Sequence, residues 1–435
     1  MAAVSSNAGP SGSTGGGAAG RPDFAYGLRF LGHTDQGGRG DGVQVMVHGG
    51  FAYVGHMFSG GVTVLDVRDP RDPHAVAFLP AAPGTWNLHL QVADGLLLVV
   101  DAVDLFAVPA FADEANYYGR SVGEVLAEHP PAEYAAGMRV YDLADPASPR
   151  QIGSLAVDGF GLHRIWFVGG RWAYASALLH GFTDYVLVTI DMADPARPRL
   201  AGTSWLPGMH LAGGERPAWP LRHRYALHHA FVAGDRAYGC WRDGGLTVHD
   251  VADPTRPELL VHRNWCPPFG GGTHTALPLP GRDLLVVADE GIADNCADQV
   301  KHTWVFDIRV PTNPVSISTL PTPAETDYCA KGAHFGPHNL HENRPGSLVS
   351  EELVFATYQN AGVRVFDLAD PFRPQEVAAF VPPAPERMFD SRPGRPRVIQ
   401  SCDVFVDAEG VCYVTDYNAG LYVLQYEGVV NGGGA

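Results

Sequence analysis

Short apolar runs follow one another along the chain, separated by clusters of Gly, Asp, Asn and Pro. The stretch from Leu227 to Leu259, LHHAFVAGDRAYGCWRDGGLTVHDVADPTRPEL, shows the pattern in full. Its three apolar runs are parted by Gly-Asp, Asp-Gly-Gly and Asp-Pro-Thr-Arg-Pro. Runs this short between these turn residues predict consecutive antiparallel strands joined by tight turns.

The third run of each unit ends in a signature built from Asp, a second Asp-Pro and a further Pro. It reads LDVRDPRDP from Leu65, YDLADPASP from Tyr141, IDMADPARP from Ile190, HDVADPTRP from His249, FDIRVPTNP from Phe306 and FDLADPFRP from Phe366. A last copy, LYVLQYEG from Leu421, has lost the Asp-Pro turn. The marker Asp falls at 66, 142, 191, 250, 307 and 367, with Leu424 in the seventh place. The long step from 66 to 142 holds one unit plus an insertion, not two units. Repeats of about 40–60 residues with four short strands each predict an all-β fold, a β-propeller, here with seven blades.

A fourth strand follows each Pro-rich turn: HAVAFL, RQIGSL, RLAGTS, ELLVHR, VSISTL and QEVAAF. The seventh is missing at the C-terminal end, and Phe24–Gly32 (FAYGLRFLG) has the same character. The N-terminal strand is therefore expected to complete the last blade and close the ring, removing two exposed sheet edges. The organisation expected is a disordered Gly/Ser-rich tail over residues 1–22, one propeller over 23–428 and a flexible tail over 429–435. The segments GGVTVLDVRDP, GLTVHDVADP and AGVRVFDLADP resemble the LVIVD-repeat family of bacterial propellers. The resemblance runs over nearly the whole chain from about residue 24; it implies the fold and assigns no activity.

The first strand of each blade lies next to the axis. These strands open GVQVMV, NLHLQV, GLHRIW, ALHHAF, GTHTAL, GPHNLH and QSCDVF. Aligned on the third residue they give Gln44, His89, His163, His228, His274, His338 and Cys402. In a propeller these positions converge at one mouth of the channel. Neutral imidazole is the commonest ligand for Zn, Cu and Fe, so the ring predicts a metal site. His229 competes with His228 as the inward residue of the fourth blade. Gln44 and Cys402 have alternative readings, as a channel hydrogen-bonder and as core filler, and both are candidates to touch substrate. His334 and His341 flank His338 in a Gly- and Pro-containing loop, with His341 a possible support for His338.

The insertion, about residues 101–138, is placed to cover that mouth as a lid, with helix-compatible Ser121–Glu128 inside it and Phe106, Phe111, Tyr117 and Tyr118 as an apolar cover; a dimer contact is the competing use. Glu290 is the first candidate for an acid/base carboxylate, and Asp101 the second. Asp101, Asp289 and Asp416 occupy matching strand ends, where turn bonding is the default role.

The formal charge of −17, from 47 acidic and 30 basic residues, argues against nucleic acid or an anionic membrane as partner. No apolar run reaches transmembrane length. Six scattered cysteines without a CxxC pair read as reduced thiols of a cytoplasmic protein. GxSxG, Walker and GxGxxG signatures are lacking. The expectation is a metal-dependent enzyme, an oxidoreductase or oxygenase acting on a small organic substrate, with Fe ahead of Mn, Cu or Zn. It resembles, in architecture and in no transferable residue, the carotenoid cleavage oxygenases and the selenium-binding methanethiol oxidases. A metal-dependent hydrolase or lactonase and a non-enzymatic scaffold are the alternatives; homo-oligomerisation is left open.

Overall fold

Both Asp residues of the repeat signature build turns through their own side chains. Asp66, Asp142, Asp191, Asp250 and Asp367 each accept the backbone N–H two residues on at 2.7–3.1 Å, ending the third strand. Asp69, Asp145, Asp194, Asp253 and Asp370 repeat the bond in the next turn at 3.0–3.1 Å. Where Val310 replaces the second Asp, the Asn313 N–H closes the turn onto the Val310 carbonyl at 2.8 Å.

The computed structural model describes residues 20–430. The expected Gly/Ser-rich tail up to residue 19, and residues 431–435, lie outside the described residues. The chain is all-β, with its strands in three four-stranded sheets, one of eight strands and one of nine. All six strands expected after the Pro-rich turns form, as His74–Pro80, Arg150–Ala156, Arg199–Ser204, Glu258–Arg263, Val315–Thr319 and Gln375–Val381. Most of them are exposed or half-buried, although Gln375–Val381 is buried where Phe24–Tyr26 pairs with it, whereas the second and third strands of the first unit, Phe51–His56 and Gly61–Asp66, are buried throughout.

The first strands Gly42–His48, Leu90–Ala93, Gly159–Trp166, Tyr225–Ala233 and Thr273–Leu279 touch in sequence order, and Ser401–Val406 packs beside Leu353–Thr357 on one side and Gly42–His48 on the other. Hydrogen bonds stitch this ring from unit to unit. The Gln44 Oε1 accepts the Leu90 N–H (3.0 Å), the Ser176 Oγ donates to the His228 carbonyl (3.0 Å), and the Asp403 carboxylate accepts the Val45 N–H (3.0 Å). Strands of this kind set around one axis make a β-propeller.

The N-terminal segment closes the ring, but not as one strand. Leu28–Thr34 pairs with Gly420–Tyr426 as expected, while Phe24–Tyr26 pairs with Gln375–Val381 of the preceding unit. Gly27 makes the switch at φ 63°, and a Cβ there would lie 2.8 Å from the Ala378 Cβ. Only glycine fits.

The expectation of reduced thiols fails at one pair. Cys296 and Cys329 form a disulfide with Cα atoms 5.4 Å apart. Their loops are distant in sequence but adjacent in space, as the bond from the Asn295 N–H to the Ala333 carbonyl (3.1 Å) shows. The other four cysteines are free. Among the described residues no helix is long and apolar enough to cross a membrane.

Gly27→Val is expected to destabilise the fold by about 1–3 kcal/mol through backbone strain and steric conflict at the crossover. Calorimetry should show a lower melting temperature, with the exposed neighbour substitution Arg29→Ala near wild type.

Candidate metal centre

The inner strands do not pair evenly with their neighbours. The register slips between Gly42 and Val45, Leu162 and Ile165, Tyr225 and His229, Thr273 and Thr275, and Ser401 and Val404. Each slip is a β-bulge, which leaves residues unpaired and re-aims their side chains. Gln44, His163, His228, His274 and Cys402 all sit inside one. His89 lies between the paired residues Trp86 and Leu90, and His338 in the loop before Leu353–Thr357. For five of the seven aligned positions the alignment therefore has a structural cause, a bulge repeated around the axis.

Five imidazoles converge. Ring centroids are 4.7 Å apart for His89 and His163, 4.9 Å for His163 and His228, 3.5 Å for His228 and His274, and 4.5 Å for His274 and His338. All five are between 1% and 9% exposed. Burial, reinforced by neighbouring cations and rings, holds His89, His163, His228 and His274 well below the ordinary imidazole range, and it lowers His338 too. The rings are neutral and carry lone pairs.

Glu290 meets the arc at one end, 3.6 Å from the His274 Nε2 and 3.5 Å from the His338 Nε2. The hydrogen-bond network assigns the protons of these rings. The His338 Nδ1 donates to the Cys402 carbonyl (2.6 Å) and the His228 Nδ1 to the His274 carbonyl (3.0 Å), while the His274 Nδ1 shares a hydrogen bond of 2.9 Å with the Thr275 hydroxyl. The Nε2 of His338 thus turns a lone pair, not a proton, toward the Glu290 carboxylate. Facing acceptors of this kind repel unless a cation lies between them. Their separations are close to the edge of a tetrahedron of ligands at about 2.0–2.1 Å from a metal. Both His89–His163–His228 and His274–Glu290–His338 bring donor atoms within 4.8 Å of one another.

Arg242 lies on the same floor, paired with the Glu290 carboxylate. Its backbone is left-handed, φ 52°, an uncommon state for a bulky side chain and one that clusters at functional sites. Burial pushes Glu290 up, but Arg242 and the nearby histidines outweigh it and leave the carboxyl below its usual range.

The arc forms the floor of a cavity of about 60 Å³, room for a few water-sized groups. Phe106, Tyr117 and Tyr118 of the insertion line it, with Phe58, Trp86 and Tyr417. The insertion begins after Val103 and ends before Gly137, slightly inside the expected limits. Its helix Val122–Glu128 lies where expected, and a second, Glu114–Gly119, precedes it. Both are tied down by the buried Arg224–Asp184 pair: Asp184 accepts the Val122 N–H (2.9 Å) and Arg224 donates to the Tyr117 carbonyl (2.9 Å). Phe111 packs inside the insertion instead of lining the cavity.

Several sequence candidates lie elsewhere. His229 turns from the axis against Phe231, at 4.3 Å between centroids. Asp101 binds Asn87 (2.6 Å) and Arg139 (3.1 Å), within the strand Leu96–Val103 and not in the cavity. Gln44 lies deeper in the channel, bonded to Glu342 at 3.3 Å. Cys402 contributes its carbonyl to His338, and its thiol is buried in an apolar cluster. His341 bonds the Leu348 carbonyl (2.9 Å) and the Val406 N–H (3.1 Å), not His338. His334 does line the cavity. Sequence reasoning missed Arg242 and the wall formed by Asp390, Arg392 and Arg395, in which Arg392 stacks on Phe106 at 4.1 Å. Arg242 stands in the short loop WRDGG, whose position in the repeat was its only signal.

The LVIVD repeat family matches residues 39–77 and 230–262, and the chain carries LVIVD repeats in a propeller. The β-propeller domain of Myceliophteria thermophila Cps50 (Swd1) is similar at 11% identity and TM-score 0.53, over 89% of this chain and 97% of that one. The periplasmic gluconolactonase PpgL of Pseudomonas aeruginosa is similar at 13% identity and TM-score 0.51, over 92% and 94%. At these identities the likeness is one of fold. No curated protein matches the chain in sequence.

Beneath the arc, burial pushes the Asp403 carboxyl up to about 7. A raised carboxyl contributes stability below its unfolded value, about 3.9, that is lost as pH rises through about 7. Asp403→Asn is therefore expected to gain stability relative to wild type between about pH 5 and about pH 8 in urea unfolding.

Proposed function

We propose that this chain is a metal-dependent oxidoreductase acting on a small organic molecule at the axis of a seven-bladed propeller. The seven-blade reading divides the eight- and nine-stranded sheets into two units each, in step with the sequence repeats. The observation that carries the functional reading is the convergence of buried neutral imidazoles with Glu290 on a cavity floor. Two imidazoles and a carboxylate suit non-haem iron, and the added imidazoles also suit copper or manganese. Such an ion, once bound, supplies redox chemistry and a Lewis acid.

The chain's own residues perform the remaining work. The aromatic wall of Phe58, Phe106 and Tyr117 receives an apolar body and excludes water. The insertion serves as a fixed cover, latched by Arg224 and Asp184. Arg242 fixes Glu290 as an ionised carboxylate.

That pairing is also why oxidation is favoured over hydrolysis. A hydrolase of this design needs a carboxylate free to take up and release protons, whereas the Glu290 carboxylate is committed to its ion pair with Arg242. The Cys296–Cys329 disulfide fits an oxidising compartment better than the cytoplasm expected from the sequence.

The test is elemental analysis of the full chain purified without an affinity tag or added metal. The expected result is about one Fe, Mn or Cu per chain, lost in a His274→Ala, His338→Ala variant that still melts cooperatively. Zinc in that place would shift the reading to hydrolysis. No metal after purification and reconstitution would overturn it.

A further inference from the structure

The five histidines are not chemically equivalent. His228 and His338 each give their Nδ1 proton to a backbone carbonyl. His89 does the reverse. Its Nδ1 lies 3.2 Å from the Nη1 of Arg164, and a guanidinium only donates. Arg164 is itself 1% exposed and anchored on Asn339, so its fork has little freedom to turn away. A neutral imidazole that accepts at Nδ1 must carry its proton at Nε2.

We propose that His89 is not a metal ligand but a hydrogen-bond donor, presenting Nε2–H to an oxygen atom of the substrate, with Arg164 as the positioning residue that sets its tautomer. The proposal deepens the metal-dependent reading and rests on it for the identity of the site. A second observation points to the same subsite. Trp86, three residues earlier, lines the same cavity, is 3% exposed, and has an indole N–H without a hydrogen-bond partner among the described residues. A buried donor left unpaired costs roughly 1–3 kcal/mol, a cost removed when an acceptor enters. His89 Nε2 and Trp86 Nε1 give the cavity two donors, against the acceptors gathered around Glu290 at the other end of the arc. The substrate class this selects is a small molecule with a short apolar body and a carbonyl or carboxylate oxygen.

The test uses Co(II) as probe on the full-length apoprotein, followed by visible absorption. His89→Phe and His89→Gln should bind Co(II) with wild-type stoichiometry and band shape, and with affinity within a few-fold. His338→Phe should weaken binding about a hundredfold or more. Loss of Co(II) in folded His89→Phe and His89→Gln, matching His338→Phe, would overturn the proposal. Neutron diffraction from the wild-type protein gives an answer independent of any variant. Deuterium on the Nε2 of His89 supports the assignment, and deuterium on Nδ1 overturns it. Failure of the wild type to bind Co(II) counts against the metal reading alone, leaving the tautomer to the neutron map.

Discussion

A strand that lines a propeller axis has one neighbour on its outer side and a channel on the other. Wherever it carries an extra residue relative to that neighbour, the surplus side chain is driven into the channel. This chain repeats that bulge at Gln44, His163, His228, His274 and Cys402. Convergence of His163, His228 and His274 follows from it, and His89 and His338 join them from irregular segments of their own units. The bulge also decides between His228 and His229: the former falls within the unpaired stretch, the latter resumes pairing with Cys240 and packs outward.

The electrostatics follow from burial. Imidazoles taken out of water lose protons before they lose lone pairs, so the arc is a set of neutral donors. The charged groups near it are compensated in place, Glu290 by Arg242 and Asp184 by Arg224. The second pair holds the insertion against the ring, so the cavity wall and its floor share one rigid frame. Breaking either pair from one side would leave an uncompensated buried charge, typically a cost of about 3–5 kcal/mol.

The fold was legible in the sequence because the turn chemistry is written in the side chains that perform it. Asp at the end of each third strand is both the repeat marker and the group that caps the turn. The closing segment was only half legible: its strand character shows, whereas the switch of partner at Gly27 depends on Ala378, far along the chain. The histidine ring was legible because duplication keeps the bulge in register. Its variable length in the fourth unit hid which of the two adjacent histidines faces the axis. Arg242 gave no periodic signal, and its role needs the left-handed backbone and the place of Glu290. The Cys296–Cys329 bond and the wall around Asp390 and Arg392 arise from loops whose meeting is set by the ring as a whole.

The central claim is that the histidine arc holds a metal ion through imidazole nitrogen. X-ray absorption at the K-edge of the metal carried by the purified protein tests it most directly. The account predicts a first shell of nitrogen and oxygen at about 2.0–2.2 Å, with the outer-shell scattering of several imidazole rings, and loss of that scattering in His274→Ala, His338→Ala. A first shell of sulfur at about 2.3 Å, or of oxygen without imidazole scattering, would place the metal elsewhere and contradict it.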